Sequence, residues 1–346
     1  MAAPTCTRCN GKRLIGEHCF GHLGPEELSA AADLVREERA LDARDTEVSQ
    51  AALARFIAVV KRLTGRAQMP KVDFGGATFL GAVDFGGVYF NGEARFSDAS
   101  FDAVRFDAAI FRAGARFRDA TFSGKAYFRE TRFEAGAFFI RALFGDNARF
   151  ERATVKGSAS FSRSRFQGGA FFSKGQYGGV KFDSVTFQGI AKFDHAHIEG
   201  NAEFRKTSFD GEASYFMTEF GRHAMFEQAC FGGAAAFKKA DFVGTARFHN
   251  ATFSTVDFTQ CQFREAAIFD KSEFRKAANF NQVLFARSAG FRSASFHAVA
   301  AFGSATFMRD ATFDCARFRA NVRFADVKFE GEARFNEVDC RERAIF

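Results

Sequence analysis

Four soft metal ligands lie close together near the start of the chain. Two residues separate Cys6 from Cys9, nine residues follow, and two residues separate Cys19 from His22. Two close pairs of thiol and imidazole donors meet the requirement of a closed tetrahedral zinc site. Because four protein ligands leave no coordination position open, such an ion would be structural. Residues 1–23 therefore predict a Cys/His knuckle that holds one Zn²⁺ ion.

Two alternatives remain open for this segment. His18 is a second candidate for the fourth ligand, although the two-residue spacing favours His22. The second alternative is that no metal binds and that the cysteines are incidental residues of a disordered N-terminus. Gly11 lies just after the first pair, where knuckles of this kind usually turn, and this favours the metal. The expected role is to staple or dock the terminus, while zinc ribbons of this size also contact nucleic acid or protein.

Residues 24–70 predict a two-helix N-terminal cap. Proline and acidic residues start a first helix at Pro25, which is expected to run to about Arg39. Residues 41–48 are polar and predicted to be extended. A second helix is expected from an N-cap at Ser49 to about Leu63, before Gly65. Its apolar stripe consists of Leu53, Phe56, Ile57, Val60 and Leu63.

That stripe is interpreted as covering the first coil of the structure that follows, because the ends of repeat structures need covering. The alternative is a free amphipathic helix that binds a partner.

Residues 71–346 repeat one short phrase: a small residue, any residue, then an aromatic residue that we call the centre. From Phe74 onward, steps of five and six residues alternate and give 51 centres, nearly all Phe. A period of two places the small residue and the centre on one side of a short extended segment. A five-residue segment cannot bury Phe alone, so the segments must stack into a solenoid.

This repeat resembles that of the pentapeptide-repeat family, whose coils form a right-handed quadrilateral β-helix. Family members more often carry Leu at the centre, whereas here Phe dominates and alternate steps hold an extra residue. The resemblance implies an all-β solenoid of about 13 coils, forming a rod roughly 60 Å long at the spacing of neighbouring strands. The order of knuckle, helices and repeat is similar to an arrangement in actinobacterial members.

Two features of the repeat, its corner glycines and its shortened steps, lead to further predictions. Glycine often falls two residues after a centre in the six-residue steps, as at Gly124 and Gly200, and is expected to supply a positive φ at a widened corner. Three steps shorten to five residues where six are expected, namely those into Phe106, Phe182 and Phe258. These breaks lie 76 residues apart and suggest duplication of a 76-residue block.

Composition sets the remaining bounds. The chain of 346 residues carries a net charge of +7 with mixed signs, which permits contact with nucleic acid or an acidic partner but requires neither. No apolar run is long enough for a membrane span and no secretory leader is evident, so a cytoplasmic protein without membrane contact is expected. Seven cysteines in such a chain do not indicate a disulfide framework. No P-loop, dinucleotide fingerprint or nucleophile elbow occurs, and the sequence therefore indicates a protein that is not an enzyme.

One outward face of the repeat is a candidate partner-binding face. It alternates cations and aromatics over five coils, at Arg105, Tyr127, Arg149, Phe171 and Lys192. Both interface hot spots and nucleic-acid grooves interleave arginine with exposed aromatics. The alternative is cation–π and cross-strand packing on an ordinary solvated face.

Three functions follow as hypotheses. The first is a non-enzymatic scaffold that presents a rigid β-helical rod to a protein partner. The second comes from the resemblance, since family members bind DNA gyrase or topoisomerase IV by mimicking duplex DNA and so protect the enzyme. That activity depends on an acidic face, and the faces here have mixed charge. The third is direct nucleic-acid binding through the Arg/aromatic face and the knuckle.

The last centres leave an open coil edge, which invites another chain to pair. Family members of the gyrase-binding type dimerise through their C-terminal ends, and this implies a tail-to-tail homodimer. The charged run Arg341–Arg343 would either pair across a two-fold axis or stop such stacking.

Overall fold

The computed structural model describes residues 5–37 and 39–345. They form a β-solenoid of about 13 turns with a small N-terminal helical region, which confirms the fold class predicted from the repeat. The chain divides into two compact units, Met1–Gly168 and Gly169–Phe346.

The helices of the first unit lie close to where the sequence predicts them. A single 3₁₀ turn, Phe20–His22, precedes α1 (Pro25–Arg36) and α2 (Gln50–Thr64). The hydroxyl of Ser49 accepts the Ala52 N–H at 3.2 Å, and Gly65 ends α2 with φ 77°. Helix α1 is three residues shorter than expected, because the N–H of Arg39 donates to the Leu34 carbonyl and closes the helix end.

The strands of the first unit are β1 (Leu41–Asp42), β2 (Glu47–Ser49), β3 (Gln68–Met69), β4 (Val72–Asp73), β5 (Thr78–Asp84), β6 (Tyr89–Phe90), β7 (Ala94–Arg95), β8 (Ser100–Arg105), β9 (Ile110–Phe111), β10 (Ala115–Arg116), β11 (Thr121–Phe122), β12 (Ala126–Tyr127), β13 (Arg132–Phe133), β14 (Ala137–Phe138), β15 (Leu143–Phe144), β16 (Ala148–Arg149), β17 (Thr154–Ser160) and β18 (Arg165–Phe166). These strands pair in parallel, as β11 does when it aligns Thr121 with Leu143 of β15, one coil later.

The strands of the second unit are β19 (Ala170–Phe171), β20 (Gln176–Lys181), β21 (Thr186–Phe187), β22 (Ala191–Lys192), β23 (His197–Ile198), β24 (Ala202–Glu203), β25 (Ser208–Phe209), β26 (Ala213–Ser214), β27 (Glu219–Phe220), β28 (Ala224–Met225), β29 (Cys230–Ala236), β30 (Asp241–Phe242), β31 (Ala246–Arg247), β32 (Thr252–Asp257), β33 (Gln262–Phe263), β34 (Ala267–Ile268), β35 (Glu273–Phe274), β36 (Ala278–Asn279), β37 (Leu284–Phe285), β38 (Ala289–Gly290), β39 (Ser295–Phe296), β40 (Ala300–Ala301), β41 (Thr306–Phe307), β42 (Ala311–Thr312), β43 (Arg317–Phe318), β44 (Val322–Arg323), β45 (Lys328–Phe329), β46 (Ala333–Arg334), β47 (Asp339–Cys340) and β48 (Ala344–Ile345).

Strand pairing with the solenoid begins upstream of the repeat. Strand β1 aligns Leu41 with Val72 of β4, and β2 aligns Val48 with Phe79 of β5. Strand β3 aligns Met69 with Phe90 of β6. Residues 41–49 and 68–69 thus pair as an incomplete coil in front of the first repeat.

The centres pack as columns of phenyl rings inside each unit. In the first unit Phe90 stacks on Phe111 with ring centroids 4.4 Å apart and planes 1° apart. Neighbouring columns meet edge to face, as Phe117 and Phe128 do at 5.6 Å and 86°. Offset-stacked and edge-to-face pairs are the favoured arrangements of aromatic rings. The column order therefore explains why the repeat keeps Phe at the centre.

The expectation that glycine supplies positive φ at the six-residue corners is wrong for most of these glycines. Positive φ instead occurs in the five-residue steps at non-glycine residues such as Asp119, with φ 57°. The corner glycines allow close approach between coils. A Cβ on Gly124 would lie 2.3 Å from the Asp102 carbonyl oxygen, and one on Gly200 would lie 2.0 Å from that of Gly178.

The three register breaks coincide with strands that continue through a corner. Strands β8, β20 and β32 span the shortened steps without interruption. The preceding long strands β5, β17 and β29 begin at residues 78, 154 and 230, again 76 residues apart. The pairing of β5 with β8 shifts between Phe79 and Ala82, where Gly81 adopts φ 74° as the extra residue of a bulge.

Candidate metal centre and interaction face

The predicted ligands are brought together in the first unit. One ligand atom from each of Cys6, Cys9, Cys19 and His22 lies within 4.8 Å of all the others. The Nδ1 atom of His22 is 3.3 Å from Cys19 Sγ and 3.6 Å from Cys6 Sγ, and the Sγ atoms of Cys9 and Cys19 are 3.5 Å apart. Tetrahedral zinc with ordinary bond lengths gives edges of about 3.8 Å between sulfurs and about 3.6 Å between sulfur and nitrogen. The four residues could therefore bind a metal ion.

Backbone turns orient these side chains. The Arg8 N–H donates to Cys6 Sγ at 3.4 Å, and the Gly11 N–H donates to Cys9 Sγ at 3.3 Å. Cys19 precedes the 3₁₀ turn, so that His22 lies one short turn further on, facing the same cluster. Amide donors aimed at the sulfurs favour the thiolate form that a metal requires.

The thiols of the cluster differ in acidity. Burial alone would raise the pKa of Cys6, but the Arg8 N–H and hydrogen bonds with Cys19 and His22 lower this pKa to about 6. Burial and the neighbouring Cys9 thiol raise the pKa of Cys19 to about 12. A cation among three crowded thiols would stabilise their ionised forms.

His18, the alternative ligand, lies outside the cluster. Its Nδ1 atom is 2.7 Å from Glu27 Oε1 at the start of α1. The same carboxylate accepts the Gly24 N–H at 2.8 Å. His18 therefore joins the knuckle to the first helix.

Sequence reasoning missed how the knuckle attaches to the solenoid. Phe20, directly after Cys19, is 1% exposed, and its ring packs edge to face with Phe56 of α2 at 4.8 Å and with Phe74, the first centre, at 5.4 Å. A Cβ on Gly21 would lie 1.7 Å from the Glu47 carbonyl oxygen of β2. The knuckle thus covers the first aromatic column. In the sequence, the feature that could have indicated this contact is the single Phe next to the metal ligands.

The candidate partner-binding face is in lateral register within each unit. In the first unit Tyr127 aligns with Arg105 on one side and with Arg149 on the other. In the second unit Phe171 aligns with Lys192.

The cations of the first unit's part of this face are paired with acids. Arg105 donates to both carboxylate oxygens of Asp84, at 2.9 and 2.5 Å. Arg149 donates to Glu151 at 3.1 Å, and the guanidinium of Arg129 lies 5.1 Å from the Tyr127 ring centroid. This face combines aromatic surface with neutralised charge.

A groove of about 270 Å³ lies at the α2 end of this face. It follows the bulged corner of β5 and β8. Its lining residues are Gln50, Ala82, Val83, Asp84, Ala103, Val104, Arg105 and Tyr127.

A second groove, of about 210 Å³, lies on another face of the same unit and was not anticipated. Arg116, Arg118, Phe138, Ile140 and Ser97 line it. In the sequence, the feature that could have indicated this groove is Phe138, an outward aromatic residue next to the centre Phe139.

Comparison with known proteins agrees with this architecture. Residues 66–110 and 106–154 match the family model described as pentapeptide repeats, in nine copies. Residues 66–154 are thus similar to pentapeptide repeats. The match begins inside the incomplete first coil and covers the Arg105 and Tyr127 part of the face, but the knuckle lies outside it.

Among solved structures, the chain is similar to HetL, a pentapeptide-repeat protein involved in heterocyst differentiation regulation in the cyanobacterium Nostoc sp.. The alignment covers 77% of this chain and 98% of HetL at 16% identity, with a TM-score of 0.25. At these values the likeness supports no statement about function. No curated protein sequence matches the chain. In the described residues, neither α1 nor α2 is long and apolar enough to cross a membrane.

Proposed function

We propose that this pentapeptide-repeat protein is a non-enzymatic scaffold that binds a protein partner through the outward side chains of its coils. The observation that carries the proposal is the face at Arg105, Tyr127 and Arg149, where a half-buried aromatic lies between two paired cations beside an apolar groove. Arginine and tyrosine in such clusters are the residues that dominate protein interfaces.

The charge arrangement favours a protein over nucleic acid as the partner. Binding to a phosphate backbone relies on cations that are free to replace counterions. Here Arg105 is held by Asp84, and Arg149 by Glu151. A protein can complement both signs of such a face and insert an apolar side chain into the groove.

Mimicry of DNA towards a topoisomerase is the less favoured candidate. It needs a row of unneutralised carboxylates, whereas acids of the first unit pair with arginines one coil further on. These pairs are Asp84–Arg105, Asp107–Arg129, Asp119–Arg141 and Glu130–Arg152.

We further propose that the Cys/His knuckle holds a structural Zn²⁺ ion. The donor set of three thiols and one imidazole suits zinc, and the four donors leave no position for substrate. The ion would fix the chain around Phe20, which seals the first aromatic column. It supplies no chemistry beyond this cross-link.

The test of the scaffold proposal is partner capture with matched variants. A Tyr127→Ala/Arg149→Ala protein should lose most of the protein captured from the native host by the wild type. Thr121→Ala, on the neighbouring face of the same coil, should retain it. Equal capture by the two variants would contradict the face. DNA retained at low salt, and released steeply as salt rises, would favour nucleic acid instead.

A further inference from the structure

A cavity of about 370 Å³ lies beside the Cys/His cluster and is lined by His22 but by none of the three cysteines. Arg8, His18, Gly21, His22, Leu23, Gly24, Glu27 and Arg55 line it. It brings together the knuckle, the start of α1 and the middle of α2. Its volume falls at the lower end of the range for small-molecule pockets.

The arginines of this cavity differ from those of the candidate partner-binding face in having no acidic partner among the described residues. In the described chain, neither Arg8 nor Arg55 forms an ion pair, whereas Arg105 and Arg149 each have an acidic partner. Both side chains are exposed, so their charges are solvated and free to attract an anion that enters the cavity. The cavity therefore offers two guanidinium groups, unpaired within the described residues, to an anionic ligand.

The acid that lines the cavity is already engaged. Glu27 accepts hydrogen bonds from the Gly24 N–H at 2.8 Å and from His18 at 2.7 Å. These two contacts lower the pKa of Glu27, so the carboxylate is ionised and held in place as the cap of α1. Glu27 also interacts with the charge of Arg8, but one carboxylate beside two guanidinium groups leaves the lining with a net positive charge.

His22 adds a donor to the same space. Its Nδ1 atom faces the cysteine sulfurs, so Nε2 is the ring nitrogen that remains for a ligand in the cavity. Guanidinium groups recognise oxyanions, and phosphate above all, by paired hydrogen bonds.

We infer that this cavity is a phosphate-binding site in which Arg8 and Arg55 bind the oxyanion and His22 Nε2 donates to it. The ligand class is a phosphate group, carried either by a small phosphate monoester or by a nucleic-acid backbone. The volume favours the small ligand. The inference is independent of the proposed interaction face, because the face and the cavity share no residue.

The test is calorimetric titration of the full chain with inorganic phosphate at constant ionic strength. Saturable binding at one site per chain is expected. Arg55→Gln should weaken it about tenfold or more, as the loss of a charge-assisted contact. Arg62→Gln, an exposed residue of the same helix outside the cavity, should leave it unchanged.

Absence of saturable phosphate binding, or equal binding by Arg55→Gln and Arg62→Gln, would overturn the site. Arg8→Gln provides a second variant outside the helix, in case Arg55→Gln perturbs α2. A short single-stranded DNA oligonucleotide then separates the sources. If it displaces phosphate at lower concentration than a phosphate monoester does, the ligand is a nucleic-acid phosphate, and the reverse order assigns the small ligand.

Discussion

At the scale of single residues, the solenoid is specified by what each inward position contains. Phe193 is 1% exposed and stacks between Phe172 at 4.9 Å and Tyr215 at 4.8 Å. Tyr215 is also fully buried, and its hydroxyl has no hydrogen-bond partner among the described residues. A buried hydroxyl without a partner costs stability, whereas the phenyl ring beneath it contributes through packing.

Opposite effects are therefore expected from two neighbouring substitutions. Phe193→Ala should lower the free energy of unfolding by about 3–5 kcal/mol through loss of a buried ring. Tyr215→Phe should raise it by about 1–3 kcal/mol, because the unpaired hydroxyl is removed while the ring remains. Denaturant unfolding of the full chain measures both.

The outward Lys192 is the control for this column, since Lys192→Ala should change the free energy of unfolding by under about 0.5 kcal/mol. Equal destabilisation by Phe193→Ala and Lys192→Ala would show that the assigned inward register is wrong.

Residue-level prediction succeeded where a residue type has one physical use. A centre must be apolar and ring-shaped to continue a column, so periodicity alone located it. Corner glycines have two uses, positive φ and close approach, and the sequence does not distinguish them. The carbonyl of Asp102 beside Gly124 becomes visible only when coils are stacked. Likewise, the cavity at Arg8 and Arg55 joins residues from separate elements, and no spacing rule connects them.

At the scale of elements, the N-terminal knuckle and α2 act together on the first coil. In the incomplete coil, Ala43 donates its N–H to the Asp73 carbonyl but is too small to continue the column above Phe74. Phe20 packs against Phe74 in its place, with Phe56 of α2 behind it. Capping of this kind is what terminal repeats of solenoids require.

The knuckle should therefore carry metal that stabilises the cap. We expect one zinc per chain in protein purified under reducing conditions, and loss of that zinc in Cys9→Ser. Chelation should lower the temperature at which the first unit unfolds, because the ligands no longer hold Phe20 in place. Elemental analysis and thermal unfolding measure the two effects.

Cys230→Ser, which changes an exposed cysteine of the solenoid, is the matched control and should keep both the zinc and the thermal stability. Protein without stoichiometric metal, or Cys9→Ser that retains it fully, would reject the zinc site.

At the scale of the whole molecule, the solenoid fold followed from the repeat because each coil contacts only its neighbours. The register breaks also followed from the sequence, and the long strands at 76-residue intervals match them. What the sequence could not supply is the partner, because outward residues are not constrained by the core. Under the proposed function the outward side chains would be selected by the partner, and a single chain does not contain that information.

The last strands of the described chain offer one further surface. Strands β45 to β48 pair with β41 to β44 on one side, and within residues 5–37 and 39–345 they have no partner on the other. Cys340 and Ile345 are exposed here, although the corresponding positions of earlier coils are mostly buried or half-buried. Where these strands form the outermost coil, an edge with exposed apolar side chains favours pairing with a second chain.

We therefore expect the 346-residue chain to form a tail-to-tail homodimer through this edge, and light scattering should report twice the mass of 38.3 kDa. Ile345→Lys should shift the protein towards the monomer, because it places a charge in the contact. Ile190→Lys changes an isoleucine of similar exposure, 41% against 42%, elsewhere in the second unit and should leave the dimer intact. If the wild type has a monomer mass at every concentration, the edge is protected by its own charges, and Arg341 and Arg343 act as a stop against stacking.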